Sequence, residues 1–356
     1  MASDRLIIGG VAVAPGEKKL IRLPVANLLV GCNLTIPVHV VRGINPGPTM
    51  GLTSAIHGAE YTSIRVLREI VVNTDPRQLA GTIVAVPVAN PITLARSKRS
   101  TPETDIDFGN MNRVFPGRRA KPVFGGGESQ PTDRTLTEMM ASVITDEVLD
   151  KIEYLIDYHS HYDGCAVFKM IKPKNLDGRV GEQSLAMNRA FGLGTIHLDT
   201  TRPFTASGYC GARGVPVCVV EVGGSSVGLD LEDEWVEFSI NGTRNVMKYL
   251  GMIEGSYSLP ERQLVFENCP KRRPTVAGYL VSRYQPDQLW DNYPRGVWVE
   301  KGQPLATVFD PYSFEVLEEL EAPATGLLYM CKRTGLVEAG SHAFGVAEMA
   351  SANWIE

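Results

Sequence analysis

Residues 49–60 read TMGLTSAIHGAE and decide the fold of this chain. The apolar run from Thr49 to Ile56 has the length of a buried strand, and a histidine follows it directly. Apolar residues at helical spacing come next, in residues 61–72, so a strand leads straight into a helix. Ionisable residues at the end of such a strand are typical of an open α/β sheet, where ligands bind beyond the carboxyl ends of the strands.

The alternation of strands and helices continues to about residue 250. It predicts further strands at Gly81–Val88, Ile152–Tyr158 and Val215–Val220, and helices at Thr132–Ile144 and Trp235–Leu250. The predicted fold class is therefore α/β, with helices on the faces of the sheet.

The sequence pattern changes after about residue 256, where helical periodicity fades and short apolar runs recur between glycine and proline turns. We predict two domains on this basis. Residues 1–255 form a catalytic α/β domain that begins with short strands, and residues 256–356 form a smaller β-rich domain, interrupted by a short helix near Pro286–Trp290.

Composition argues against several classes of protein. The net charge of -5 does not suit a nucleic-acid binder, which usually carries a basic surplus. The sequence contains no uninterrupted run of about 18 apolar residues, so we expect no membrane span. The six cysteines are scattered without a CxxC pair, which is typical of reduced thiols in the cytoplasm. We expect a cytoplasmic homo-oligomer that acts on a small molecule and binds neither nucleic acid nor membrane.

Three ionisable clusters follow predicted strands, and together they suggest a metal site. HGAE stands at 57–60, His159 follows the third strand, and Glu221 follows the fourth. Two histidines and one carboxylate, here His57, Glu60 and His159, are a common catalytic zinc set that leaves a position for water. A lone HxxE is usually the start of a surface helix, but the matching strand ends favour a site. Glu221 is then the candidate general base.

A long loop supplies candidate groups for binding the substrate. It contains NMNRVFPG at 110–117, and arginine suits a carboxylate because its fork donates two parallel hydrogen bonds. We predict that Asn112 and Arg113 hold a substrate carboxylate. Arg99 does the same or polarises the scissile carbonyl, and Arg96 is a competitor for that role.

The remaining histidines divide into two groups. His161 stands two residues after His159 and is predicted to line the pocket or bind substrate. His39, His197 and His342 are predicted to be ordinary structural residues, the last two because they lack acidic companions in the sequence.

Six motifs follow one another over residues 45–250, namely GPT, HGAE, NP, NxNRxFPG, DxHS and EVGG. In order and spacing they resemble the succinylglutamate desuccinylase/aspartoacylase family, a branch of the zinc carboxypeptidase fold. The resemblance implies a mixed sheet flanked by helices and one zinc ion on His57, Glu60 and His159. It also implies Glu221 as general acid/base, and an amidohydrolase that cleaves an N-acyl amino acid into a carboxylate and an amine.

Some features bear on the substrate and on alternative functions. The head of the chain is similar to the N-acetyl-diaminobutyrate deacetylase subgroup, and the acids Glu103, Asp105 and Asp107 suit a cationic substrate side chain. The tail is similar to a lipoyl-type sandwich hybrid, in which Lys332 is the nearest lysine to the modified position. The alternatives are therefore a zinc carboxypeptidase acting on peptides and a non-catalytic carrier that uses this tail.

Overall fold

The structure of the protein, a computed structural model, describes residues 6–102, 107, 109–117, 134–200, 202–225, 228–291, 294 and 296–356. Up to residue 255 the strands are β1 (Leu6–Ile8), β2 (Val11–Val13), β3 (Lys18–Asn27), β4 (Asn33–Arg42), β5 (Asn45–Thr53), β6 (Ala80–Val86), β7 (Tyr154–His161), β8 (Cys165–Pro173), β9 (Thr195–Asp199) and β10 (Val217–Gly224). The helices are α1 (Ser63–Asn73), α2 (Pro91–Leu94), α3 (Leu136–Glu147), α4 (Gly178–Phe191), α5 (Ala206–Ala212) and α6 (Leu229–Tyr249), with 3-10 turns at Met111–Arg113 and Leu149–Lys151.

The rest of the chain is mostly strand. It contains β11 (Gln263–Phe266), β12 (Lys271–Arg272), β13 (Gly278–Ser282), β14 (Val297–Val299), β15 (Pro304–Phe309), β16 (Val316–Glu321), β17 (Gly326–Lys332), β18 (Gly335–Val337), β19 (Phe344–Glu348) and β20 (Ala352–Ile355), with helix α7 (Pro286–Asp291) and a 3-10 turn at Met349–Ser351. The short helix expected near Pro286 is confirmed.

A large mixed sheet organises the molecule in the order β12-β19-β17-β8-β10-β7-β5-β6-β4-β3. Strands β10, β7, β5 and β6 are parallel neighbours, while β8 and β4 flank them in the antiparallel sense. Helices α1, α4 and α6 pack together on one face of the sheet, and α3 and α5 pack on the other. The predicted α/β fold with a mixed sheet and a β-rich C-terminal part is confirmed.

Alternating side chains of β7 show how the sheet separates two cores. Ile156 and Tyr158 pack with α1, α4 and α6, whereas Leu155 packs with α3 and α5. All three side chains are buried, and complete burial of an aliphatic or aromatic side chain contributes about 1.5–3 kcal/mol. A strand buried on both faces reads as a continuous apolar run, which is why this segment was recognisable in the sequence.

The sheet does not stop at residue 255. Strand β17 pairs antiparallel with β8, with Met330 opposite Val167, and β11 pairs parallel with β9. Strands β16-β15-β13-β18 form a separate four-stranded sheet. The division at residue 255 stays a prediction, and the hydrogen bonding shows that both parts of the chain build one sheet. Among the described residues, no helix is both long and apolar enough to cross a membrane.

Candidate metal centre and cavity

The loop after β5 holds two of the predicted metal ligands. The Glu60 backbone N–H donates to the His57 carbonyl at 3.0 Å, and this turn brings both side chains to one side. Gly58 fits because a Cβ there would lie 2.1 Å from the backbone nitrogen of Leu94 in α2. The Asn90 side chain accepts from the Thr93 N–H and caps that helix. The HGAE and NP motifs therefore pack on each other.

His159 joins this pair from the neighbouring strand β7. Its Nδ1 lies 2.8 Å from Glu60 Oε2, and His57 Nδ1 lies 2.9 Å from Glu60 Oε1. All three residues are buried, and one ligand atom from each lies within 4.8 Å of the others. The structure thus brings together the three residues that sequence reasoning selected as metal ligands.

The outer nitrogen of each histidine lies near a side-chain oxygen, which bears on how the rings can bind. A histidine that ligates through Nδ1 carries its proton on Nε2, and that N–H needs an acceptor. His57 Nε2 lies 3.1 Å from Asn110 Oδ1, and His159 Nε2 lies 3.4 Å from Asp157 Oδ2. The other oxygen of the buried Asp157 accepts from the Thr53 hydroxyl at 2.6 Å. Both Nδ1 lone pairs then face carboxylate oxygens, and a cation between them satisfies both sides.

The electrostatics of the cluster also favour a cation. Burial alone would raise the pKa of Glu60, but His57 and His159 outweigh it and hold that pKa well below its usual range. Burial alone would lower the pKa of His159, but Asp157 and Glu60 outweigh it and hold that pKa well above its usual range. For His57, burial prevails and lowers the pKa. The donor set and its charge fit a divalent metal ion such as Zn²⁺.

Glu221 lies in β10 directly opposite His159 of β7. Both residues lie inside their strands rather than after them, because the antiparallel strand β8 pairs with β10 as far as Gly223 and extends the sheet. Removal from water raises the pKa of Glu221. Within the described ranges its carboxylate has no hydrogen-bond partner, so it faces the cavity as a free acceptor.

Arg99, and not Arg96, reaches the cluster. The Arg99 guanidinium donates to Glu60 Oε1 at 2.7 Å and lies 5.9 Å above the centre of the Tyr162 ring. Arg96 is exposed and takes no part in the cavity wall. Helix α2 and the turn after it direct Arg99, rather than Arg96, towards the carboxyl ends of the strands.

Asn112 and Arg113 lie beside the cluster with different environments. The Asn112 side chain is buried, accepts from the Ala206 N–H at 3.0 Å and lies 3.3 Å from His159 Nε2. Arg113 lines the cavity, and its guanidinium donates to the Asn112 carbonyl at 2.5 Å. Burial, then Arg202, lowers the pKa of Arg113, which reflects a second guanidinium nearby.

His161 belongs to a hydrogen-bonded chain that reaches into the C-terminal part. Arg273 donates to His342 Nε2 at 2.5 Å, so His342 Nδ1 carries the proton and donates to His161 Nε2 at 3.0 Å. His161 Nδ1 lies 2.9 Å from both the carbonyl oxygen and the backbone nitrogen of Tyr162. Both ring nitrogens of His161 are occupied, so this histidine lines the cavity as a fixed wall.

These residues surround a cavity of about 400 Å³, which we call the central cavity. Sequence reasoning missed several of its basic residues, namely Lys169, Arg202, Lys271, Arg273 and His342. His342, expected to be an ordinary structural residue, lines the cavity wall and holds His161. One signal was present, because Lys169 interrupts the otherwise apolar start of β8. The others lie on turns or short strands without a local pattern.

Asp107 of the acidic loop does not support a cationic substrate. Asp107 is buried, and its carboxylate accepts from the backbone N–H and hydroxyl of Thr137 at 3.1 and 2.9 Å, at the start of α3. This carboxylate stabilises a helix end and does not line the central cavity. Glu103 and Asp105 lie outside the described residues.

Lys332 is poorly placed for a lipoyl-type modification. It is 2% exposed, and its ammonium donates to the Asp163 carbonyl and carboxylate at 2.7 and 2.8 Å. The bond instead ties β17 to the turn between β7 and β8. Lys332 is therefore not accessible for the modification that the carrier hypothesis requires.

The fold and site define an α/β protein with a His–Glu–His cluster, suited to a metal ion, at the carboxyl edge of its parallel strands. Residues 46–250 match the model of the Succinylglutamate desuccinylase/Aspartoacylase catalytic domain, and the chain belongs to this family. The resemblance drawn from the motifs is confirmed, and membership supports a hydrolase activity on N-acyl amino acids. No protein in the curated set matches the sequence.

Solved structures share the whole fold. The product-bound ectoine utilization protein EutE (DoeB) from Ruegeria pomeroyi has a TM-score of 0.77 at 23% identity, covering 94% of this chain and 95% of that one. A succinylglutamate desuccinylase from Silicibacter sp. has a TM-score of 0.75 at 22% identity, covering 93% and 95%. A succinylglutamate desuccinylase/aspartoacylase from Rhodobacter sphaeroides has a TM-score of 0.73 at 20% identity, also covering 93% and 95%. At these identities the likeness is one of fold.

Proposed function

We propose that the protein is a zinc-dependent hydrolase that cleaves the amide bond of an N-acyl amino acid or a related small amide. The observation that carries the proposal is the pairing of Glu221 with His159 across β10 and β7. It places a free carboxylate of raised pKa next to a cluster that fits a metal ion. This is the combination that metal-assisted amide hydrolysis requires.

His57, Glu60 and His159 would hold one Zn²⁺, which as a Lewis acid polarises the amide carbonyl and lowers the pKa of a coordinated water. Glu221 accepts a proton from water and returns it to the leaving amine, a task for a carboxylate whose pKa lies above its ordinary value. Asp157, whose Oδ2 lies 3.4 Å from His159 Nε2, would favour the tautomer that binds through Nδ1.

The arginines position the substrate and stabilise its developing charge. We propose that Arg99 donates to the oxyanion, because its guanidinium already contacts Glu60 at the edge of the cluster. Arg113 holds the substrate carboxylate with Arg202 beside it. Asn112 acts at the same end, where its buried side chain fixes the loop against α5 and His159. His161 shapes the wall through His342.

The size of the cavity favours a small amide over a peptide. A volume of about 400 Å³ suits a single small molecule, and Tyr329, Met330 and His342 of the C-terminal part contribute to the wall. A carboxypeptidase acting on peptides needs a cleft that leaves room for the chain to continue. The six cysteines are free thiols, which supports a cytoplasmic location. The homo-oligomeric state stays a prediction.

A deacylation screen tests the proposal. Zinc-loaded and metal-stripped protein would be incubated with N-acetyl and N-succinyl amino acids and with blocked dipeptides, and the released amine measured. We expect zinc-dependent release from N-acyl amino acids and none from the dipeptides. Zinc-dependent release from dipeptides alone would establish the carboxypeptidase alternative, and no zinc-dependent release from any substrate would reject the proposal.

A further inference from the structure

The turn between β7 and β8 follows directly after the strand that carries His159. Its backbone closes where the Cys165 N–H donates to the Tyr162 carbonyl at 3.2 Å. The two central residues, Asp163 and Gly164, have positive φ values of 60° and 66°. An Asp–Gly pair suits this tight hairpin turn, because both residues tolerate the left-handed region. The conformation of the turn therefore sets the position of Tyr162.

Strand β17 of the C-terminal part holds this turn. It runs antiparallel beside the start of β8, with Lys332 opposite Cys165. The Lys332 ammonium donates to the carbonyl and the carboxylate of Asp163 at 2.7 and 2.8 Å. The next residue, Arg333, donates its N–H to the Gly164 carbonyl at 2.9 Å. Three hydrogen bonds from two consecutive residues of β17 thus fix both central residues of the turn.

The two partners of the ion pair differ in their exposure to water. The Lys332 side chain is 3% exposed and that of Asp163 is 65% exposed, and among the described residues this carboxylate is the only one within 4.0 Å of the ammonium. The neighbouring Cys165 stays a neutral thiol, because burial raises its pKa to about 12. Desolvation of the buried ammonium offsets the attraction, so the pair adds little net stability. The lysine is therefore better explained by the turn that it holds than by packing.

Tyr162 is the residue of this turn that contacts the candidate active site. Its ring stacks on that of His161, with 5.2 Å between the ring centres and 18° between the planes. The Arg99 guanidinium lies 5.9 Å from the centre of the Tyr162 ring, within the range of a cation–π contact. Arg99 and Tyr162 line both the central cavity and a second cavity of about 820 Å³. The guanidinium thus has room to turn away from Glu60, and the ring limits this movement.

We propose that Lys332 is a positioning residue of the reaction, which keeps the Tyr162 ring against Arg99 and thereby keeps the guanidinium at the metal cluster. The inference rests on the proposed function, since it concerns the arginine proposed to donate to the oxyanion. A displaced guanidinium stabilises the transition state less, which lowers kcat. Binding of the substrate carboxylate by Arg113 is unaffected, so KM is retained. The C-terminal part thus contributes to the rate without touching the reacting atoms.

Lys332→Met tests the inference on zinc-loaded protein, with the N-acyl amino acid that the wild type hydrolyses fastest. We expect kcat to fall by about 10- to 100-fold, because a displacement of about 1 Å can cost about 10²-fold in rate. KM and zinc content should be unchanged. Lys174→Met is the matched control, since Lys174 also joins the two parts of the chain, pairing with Glu267 at 2.6 Å, but lines neither cavity. Its kcat should equal that of the wild type.

Combination with Arg99→Met separates positioning from a general loss of structure. If Lys332 acts through Arg99, adding Lys332→Met to Arg99→Met should lower kcat no further, because the guanidinium is already absent. Asp163→Gly is a second variant, since glycine accepts the positive φ and only the carboxylate is lost. It should lower kcat in the same non-additive way, and it decides the question if Lys332→Met does not fold.

The outcomes separate this inference from the proposed function. An active wild type together with a wild-type kcat in Lys332→Met would overturn the positioning role. The same conclusion follows if Lys332→Met lowers kcat by the same factor with and without Arg99, or if Lys174→Met lowers it equally, because Lys332 would then support only the fold. A wild type that releases no amine from any substrate rejects the proposed function itself, and this inference with it.

Discussion

The two ends of the central cavity differ in how their charges are matched. At the metal end, His57, His159 and Arg99 all contact one carboxylate, that of Glu60. At the other end, Lys169 lies opposite Glu221 in the sheet, and its Nζ lies 3.1 Å from His197 Nδ1 and makes no ion pair within 4.0 Å among the described residues. The first end is a closed set of contacts around one carboxylate, whereas Lys169 at the second end contacts neutral side chains.

This difference indicates which part of the reaction each end serves. A cluster closed by its own carboxylate can be pre-organised before substrate arrives, which suits catalysis. The other end has no cluster of this kind, which suits a wall that contacts the substrate rather than a catalytic centre. Four changes test the comparison.

The largest effect is expected from Glu221→Gln. The amide cannot accept the proton from water, so kcat should fall by about 10²- to 10⁴-fold. Zinc content, measured by elemental mass spectrometry, should be unchanged because Glu221 is not a proposed ligand. Glu237→Gln, an exposed position on α6, is the control. Wild-type turnover in Glu221→Gln would remove the proposed base.

Zinc itself is expected to stabilise the fold. An ion that binds only the native state adds about 2.7 kcal/mol to the free energy of unfolding when its concentration is 100 times Kd. Adding zinc to metal-stripped protein should therefore raise Tm in a thermal melt. His159→Gln should abolish this shift, whereas His39→Gln on β4 should retain it. An equal shift in both variants would mean that zinc binds elsewhere.

Asp157→Asn probes the support of the metal end. The change removes the carboxylate that lies 3.4 Å from His159 Nε2 and should weaken zinc binding by about 10- to 100-fold. Competition with a chelator measures the affinity. Activity should recover at saturating zinc, because the ligands themselves remain. An unchanged affinity for zinc would mean that Asp157 contacts Thr53 without supporting His159.

The smallest effect is expected from His342, a residue of the wall of the central cavity. Burial, with Lys271 next, lowers the pKa of His342 to about 3, so this histidine stays neutral near pH 7. His342→Phe removes its hydrogen bond to His161 and should raise KM by about 2- to 10-fold, the value of one neutral hydrogen bond. His39→Phe is the matched control. A fall in kcat with unchanged KM would instead place His161 at the reacting atoms.

The metal end was largely predictable because each of its residues follows an apolar run that forms a buried strand. His57 and Glu60 share one turn, and a parallel sheet brings the ends of β5, β7 and β10 to the same edge. Asn110 and Asp157 stood inside the motifs, but only the structure revealed that their oxygens lie 3.1 and 3.4 Å from the outer nitrogens of His57 and His159. Side-chain partners depend on distances that motif spacing does not contain.

The sequence by itself determined the α/β alternation, the family and the three residues that form the candidate metal site. Tertiary structure alone decided that Arg99 rather than Arg96 reaches the cluster, that Asp107 binds the start of α3, and that Lys169 contacts His197 and Tyr329. The physical reason is the range of the contacts. The metal end is built from local turns on adjacent strands, whereas the wall needs β17 to pair with β8 and β12 with β19. Such pairings join residues more than 70 positions apart, and more than 150 apart for β17 and β8, and leave no local pattern.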